Sequence, residues 1–163
     1  MVQRPDAAEL FQRHHLALYR YAYRLTRRRE AAEDAVQDVF VRVLAGIGRY
    51  RSTGRDVAWL FTILRRLLID RHRAAARQSS FQHSDADAAS EPAHDISIML
   101  AQSLEGLPTD DRDAFLLREI GGLTYEEIAS VLDLTIDAVR SRIYRARLAL
   151  RSALSPEANR RHE

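Results

Sequence analysis

Apolar residues recur at intervals of three and four along almost the whole chain, and the pattern fails across a single stretch, residues 78–95. Before it, Phe11, His15, Leu18, Ala22 and Leu25 mark a helix near 6–27. Ala32, Val36, Val39, Phe40 and Val43 mark another from about 30 to 45, which Gly46 is expected to stop. Residues 46–55 read as a loop, with three glycines and a Ser-Thr pair. Asp56 is placed to cap a third helix, whose apolar face is Val57, Leu60, Leu64, Leu67 and Leu68 and which runs to about Ala76. After the break, Ile96, Leu100, Leu104 and Leu107 resume helical spacing until Pro108, and Thr109 can cap a helix ending at Gly121-Gly122. Thr124-Tyr125-Glu126-Glu127 has the S/T-x-x-E form of a capping box and opens a short helix through Leu132. Asp133-Leu134-Thr135 then connects to a last helix of about 136–153. No segment alternates as a strand does, so the expected fold is all-α.

The break sets the domain organisation. Its 18 residues carry four acids, Pro92 and no periodicity, so they have little to bury and little drive to order. Structureless loops of that length are uncommon inside a compact domain. We therefore expect two helical domains, 1–77 and 96–154, joined by a flexible acidic linker at 78–95 and followed by a tail at 155–163. A chain of 163 residues suits two small domains.

Composition narrows the chemistry. There is no Cys, which excludes a disulfide scaffold, a thiolate metal site and a cysteine nucleophile. No apolar run is long enough to span a membrane, and residues 1–6 lack the apolar core of a signal peptide, so a cytoplasmic location without membrane insertion is expected. His14, His15, His72, His83, His94 and His162 include no i, i+4 pair with the Glu of a zinc helix. No Gly-rich phosphate loop is present. The expectation is no enzyme, no cofactor and no metal.

All 25 basic residues are Arg, the side chain suited to planar recognition of phosphates and base edges, although genome composition alone can produce such a bias. Their distribution says more. Residues 1–77 hold 16 Arg against 8 acids, a balance of +8; residues 78–113 hold one Arg against 8 acids, or −7. Residues 138–154 hold five Arg and no acid. Two basic blocks around an acidic one suggest an anionic partner, most simply nucleic acid.

The segment from Leu123 to Leu154 is the most specific signal. A short capped helix, a tight turn and a longer helix make a helix-turn-helix. In the last helix Val139, Ile143, Ala146 and Leu150 face inward, whereas Arg140, Tyr144, Arg147 and Arg151 recur on another face with Ser141 and Arg145 beside them. A solvated basic face is the ordinary alternative. The capping box, the turn and the acid-free face together favour insertion in a major groove.

These residues carry a family resemblance. Residues 122–132, Gly-Leu-Thr-Tyr-Glu-Glu-Ile-Ala-Ser-Val-Leu, and 139–147, Val-Arg-Ser-Arg-Ile-Tyr-Arg-Ala-Arg, resemble the promoter-binding domain of extracytoplasmic-function (ECF) sigma factors, group 4 of the sigma-70 family. Residues 32–40 resemble that family's polymerase-binding helix, and Trp59–Ile63 with Leu68–Arg71 resemble the helix that recognises the minus-10 element. The resemblance implies a dissociable subunit that binds RNA polymerase core, recognises minus-35 and minus-10 elements and promotes DNA opening, under the control of an anti-sigma factor. Its implied partners are the clamp helices of the polymerase's largest subunit, the flap of the second-largest subunit, promoter DNA and that anti-sigma factor.

Residue by residue, the resemblance assigns polymerase contact to Glu33, Asp34, Gln37, Asp38 and Arg42, which lie away from the apolar stripe of their helix. Minus-10 contact falls to Arg49, Tyr50, Arg51, Trp59, Arg65, Arg66 and Arg73, with Tyr50 either stacking on an extruded base or anchoring its own loop. Minus-35 contact falls to Arg140, Ser141, Arg142, Tyr144, Arg145 and Arg147. Two residues depart from the family pattern. Arg66 stands where Asn is frequent, and it donates only, whereas Asn donates and accepts. Asp133 stands where the turn commonly has Gly, and Asp tolerates the left-handed conformation this requires. A sigma-like mimic that sequesters an anti-sigma factor without touching DNA would keep the fold but lose the Arg face. A one-component regulator would leave residues 30–77 without a ligand pocket.

Overall fold

A computed structural model describes residues 6–78 and 95–155, and every element within them is helical. The helices are α1 (Ala7–Thr26), α2 (Arg29–Gly46), α3 (Asp56–Gln78), α4 (Asp95–Glu105), α5 (Thr109–Glu119), α6 (Tyr125–Leu132) and α7 (Ile136–Ala153). They divide into two units, α1–α3 and α4–α7. The expected linker, apart from its end residues Gln78 and Asp95, lies outside the described residues, as do His83, His94 and most of the tail. Gln78 and Asp95 are both helical, so α3 runs past Ala76 and α4 starts one residue early. None of the described helices is long and apolar enough to cross a membrane.

In the first unit the three helices close on Leu18, Tyr21, Ala22, Val39, Val43, Leu60, Phe61 and Leu64, all fully buried. Tyr21 and Phe61 meet edge to face with centroids 5.3 Å apart, the geometry aromatic pairs favour. The α2 stripe is as the spacing predicts, and Ala35 joins it in the core. The α1 stripe is rotated from the expected one. Leu10 and Tyr21 are buried, whereas Phe11 is 44% exposed. The reason is that α1 packs against both α2 and α3, which turns Leu10 and Tyr21 inward beside Leu18 and Ala22. Phe11 instead sits at the rim, stacked on His15 and edge-on to Phe40.

Three expected helix boundaries move by one residue. Gly46 is the last residue of α2, which closes through the Ile47 N–H donating to the Val43 carbonyl. Asp56 is the first residue of α3, and its carboxylate is turned toward the preceding loop. Thr109 likewise lies inside α5, whose N-cap is Pro108 and has no side-chain cap. Proline's fixed φ suits the start of a helix.

The second unit closes on Leu104, Leu107, Leu116, Leu117, Leu123, Ile128, Val139, Ile143, Ala146 and Leu150. Gly122, at φ +67°, lets the chain reverse between α5 and α6, a conformation glycine adopts without strain. The capping box is complete: the Glu127 N–H donates to the Thr124 hydroxyl, and the Thr124 N–H donates to the Glu127 carboxylate. Asp133 is left-handed at φ 56° and ψ 51°, so the turn survives the absence of glycine. Thr135 caps α7 by accepting from the Ala138 N–H.

Candidate nucleic-acid interface

Four of the six residues expected at the minus-35 element come together. Arg140, Ser141, Tyr144 and Arg145 line an open depression on the outer face of α7. Helical spacing puts them there because Val139, Ile143, Ala146 and Leu150 occupy the inner face. Tyr144 is 67% exposed, with nothing in the core to recommend it. The other two stand apart from the depression. Arg142 is half-buried with its guanidinium 3.6 Å from Asp110, and Arg147 donates to Glu119 at 2.8 Å.

Acids of α5 thus hold several of the arginines of α7. The Arg145 guanidinium donates twice to Asp111, from Nε at 3.0 Å and from Nη2 at 2.7 Å. These hydrogen bonds push the Arg145 pKa further above its already high value, and the bond to Glu119 does the same for Arg147. Arg140 is looser, 3.6 Å from the exposed Asp137. Sequence reasoning missed Asp111 and Glu119. They lie 34 and 28 positions from their partners, beyond any local spacing rule.

The residues expected at the minus-10 element divide into a loop group and a helix group. Arg49 and Arg51 are exposed in the loop before α3. Tyr50 lies face to face with Trp59, centroids 3.8 Å apart and planes 7° from parallel. Its hydroxyl donates to Asp56 at 2.7 Å, and the Ser52 hydroxyl donates to the same carboxylate at 3.0 Å. Burial first, and then the bond to Asp56, raise the Tyr50 pKa well above its usual value. Tyr50 therefore anchors its loop in this structure, and Trp59 supplies the other half of the stack. On α3, Arg66 and Arg73 are exposed on one face with Asp70 and Arg77, whereas Arg65 is half-buried about 100° around the helix from Arg66.

On α2, Glu33, Asp34, Gln37 and Arg42 are exposed, as expected for the polymerase-facing set. Asp38 differs. It is half-buried and accepts a hydrogen bond from Arg71 of α3. Glu33 accepts from Arg29 at 3.0 Å. Val41 and Leu44, 60% and 65% exposed, stand on the same helix and were not anticipated. The signal was available, because both fall outside the buried stripe that Val36, Val39, Phe40 and Val43 define. Among the described residues no cluster of three or more His, Asp or Glu could hold a metal ion.

Comparison with known proteins gives a consistent picture. Residues 10–78 match the family described as Sigma-70 region 2, and residues 97–150 match Sigma-70, region 4. The ECF RNA polymerase sigma factor SigE of Mycolicibacterium smegmatis is 34% identical, across 95% of this chain and 64% of that protein. The chain therefore spans just under two thirds of that relative. The ECF RNA polymerase sigma-E factor of Escherichia coli is 31% identical, across 76% of this chain and 73% of its own length. Among solved structures, the sigma factor RpoE of Bartonella quintana, crystallised with the anti-sigma factor NepR, is similar at a TM-score of 0.77 and 29% identity. That match covers 90% of this chain and 95% of that one.

Proposed function

The chain belongs to the ECF sigma factors of the sigma-70 family, and on that footing we propose that it binds bacterial RNA polymerase core, recognises minus-35 and minus-10 promoter elements and promotes DNA opening for initiation. The observation that carries the reading is the outer face of α7, where Arg140, Ser141, Tyr144 and Arg145 share one depression on the second helix of a capped helix-turn-helix. Such a face can meet both phosphates and base edges. The exposed arginines around the Tyr50–Trp59 stack and along α3 supply a second DNA surface, for the minus-10 element. The polar face of α2, with Asp34 and Gln37, is the surface for the clamp helices of the largest polymerase subunit, and the second unit is the one offered to the flap. The two units act as domains on a tether formed by the acidic stretch, in the cytoplasm where polymerase works. Control by an anti-sigma factor follows the Bartonella relative, which is bound by one.

Run-off transcription tests this reading. Core polymerase supplied with the purified chain should initiate at discrete sites on DNA from the same genome, and sequencing the transcripts would map them. Initiation no greater than with core alone defeats the reading. A sigma-like mimic would give that result.

A further inference from the structure

Asp111 is an unusual neighbour for a DNA-reading side chain. Its own side chain is 8% exposed, yet it is covered by an arginine that is 56% exposed. A carboxylate is buried at a cost unless its charge is matched and hydrogen-bonded, and Arg145 does both with two parallel bonds from Nε and Nη2. Those bonds use the side edge of the guanidinium. The group has five N–H donors in a rigid plane, so three remain, and one on Nη1 and one on Nη2 point side by side along the outer, end edge. Arg145 lines the depression that also holds Arg140, Ser141 and Tyr144.

The outer edge is itself a fork, with the spacing that matches O6 and N7 of guanine. An unclamped arginine must be ordered when it binds and loses rotamer freedom in doing so. Here the clamp fixes the plane of the fork before DNA arrives. We infer that Asp111 is a specificity-determining positioning residue, which holds Arg145 so that its free edge reads one guanine of the upstream promoter element. The inference rests on the assignment of α7 to DNA, and adds to it a residue on α5 that need not touch DNA at all.

The test uses holoenzyme assembled from the full chain and core polymerase, selected on linear templates randomised across the upstream element, with bound DNA sequenced. Wild type should enrich guanine at the position where Arg145→Ala loses the preference. Asp111→Asn should reduce enrichment at that same position by roughly tenfold, within what one bidentate pair discriminates. Preferences elsewhere, and binding to a scrambled duplex, should stay within about twofold. Arg145→Lys, which keeps the charge but not the fork, should behave like Arg145→Ala. Adding Asp111→Asn to Arg145→Ala should cause no further loss of preference, a readout that a merely structural role would not give. If Asp111→Asn fails to fold, Asp111→Glu serves instead, because one extra methylene displaces the fork and should erase the same preference. Full guanine enrichment in the folded Asp111 variant overturns the proposal. So does tighter binding to every sequence, since Asp111 would then be competing with DNA. A wild-type holoenzyme that enriches no upstream sequence defeats the assignment of α7 as well, whereas enrichment untouched by Arg145→Ala defeats only the clamp.

Discussion

Arg140 and Arg145 sit five positions apart on one helix and meet different surroundings. The first is held loosely by an exposed Asp137, the second by two bonds to a buried carboxylate. Replacing Arg140 by Ala should cost about 1–3 kcal/mol of discrimination at one base pair, measured as relative affinity for point-substituted templates; a uniform loss across sequences would make it a phosphate contact. His14 gives a pH prediction. Burial, helped by Arg13 and opposed by Asp56, lowers its pKa below the ordinary 6.5. The folded state therefore binds the proton less readily than the unfolded one, so this contribution to stability is present above about 6.5 and is lost as pH falls through the lowered value. Melting of the first unit should decline over that acidic range, and His14→Gln should flatten the decline. At this scale the sequence was only partly legible. It showed which residues were chemically equipped, but Tyr50 could be read two ways until Asp56 and Trp59 were seen around it.

Among the elements, α6 and α7 were the most readable, because caps and turns are local chemistry. Thr124 with Glu127 and Thr135 announce their helices within four residues. Helix α1 was misphased because its burial depends on two partners that no window of sequence contains. The turn at Asp133 offers a direct measure of strain. Asp133→Gly should raise the melting temperature of the second unit by an amount equivalent to at most about 1 kcal/mol, since left-handed backbone costs an L-residue about that much and glycine loses more entropy on folding. An unchanged or lower value would show that the aspartate side chain itself holds the turn. On α2, the pairing of Asp38 with Arg71 separates two substitutions that look alike in sequence. Asp34→Arg should weaken competition for core polymerase while leaving the melting temperature nearly unchanged. Asp38→Arg should lower both, because it sets two arginines against each other across α2 and α3. Equal competition by both variants and wild type would reduce the face to solvated surface.

For the whole molecule, the break in periodicity located both sets of helices to within a few residues, since a failure of pattern over so many positions is hard to mistake. Each unit closes on its own buried residues, so fragments 1–78 and 95–163 should each be helical and melt cooperatively when made separately. Removing half of the intervening acidic stretch should cripple initiation without shifting either melt; full activity after that deletion would count against a tether. Independent cores also change what a damaging mutation does in a cell. On the proposed function, a substitution that unfolds α4–α7, such as Ile143→Asp in its core, should leave α1–α3 folded and still able to occupy polymerase. The expected result is not a silent null but an occupant without an address, which would withhold enzyme from the intact protein expressed beside it. Dominance over the wild-type copy, rather than recessive loss, is the genetic signature expected of lesions in the second unit.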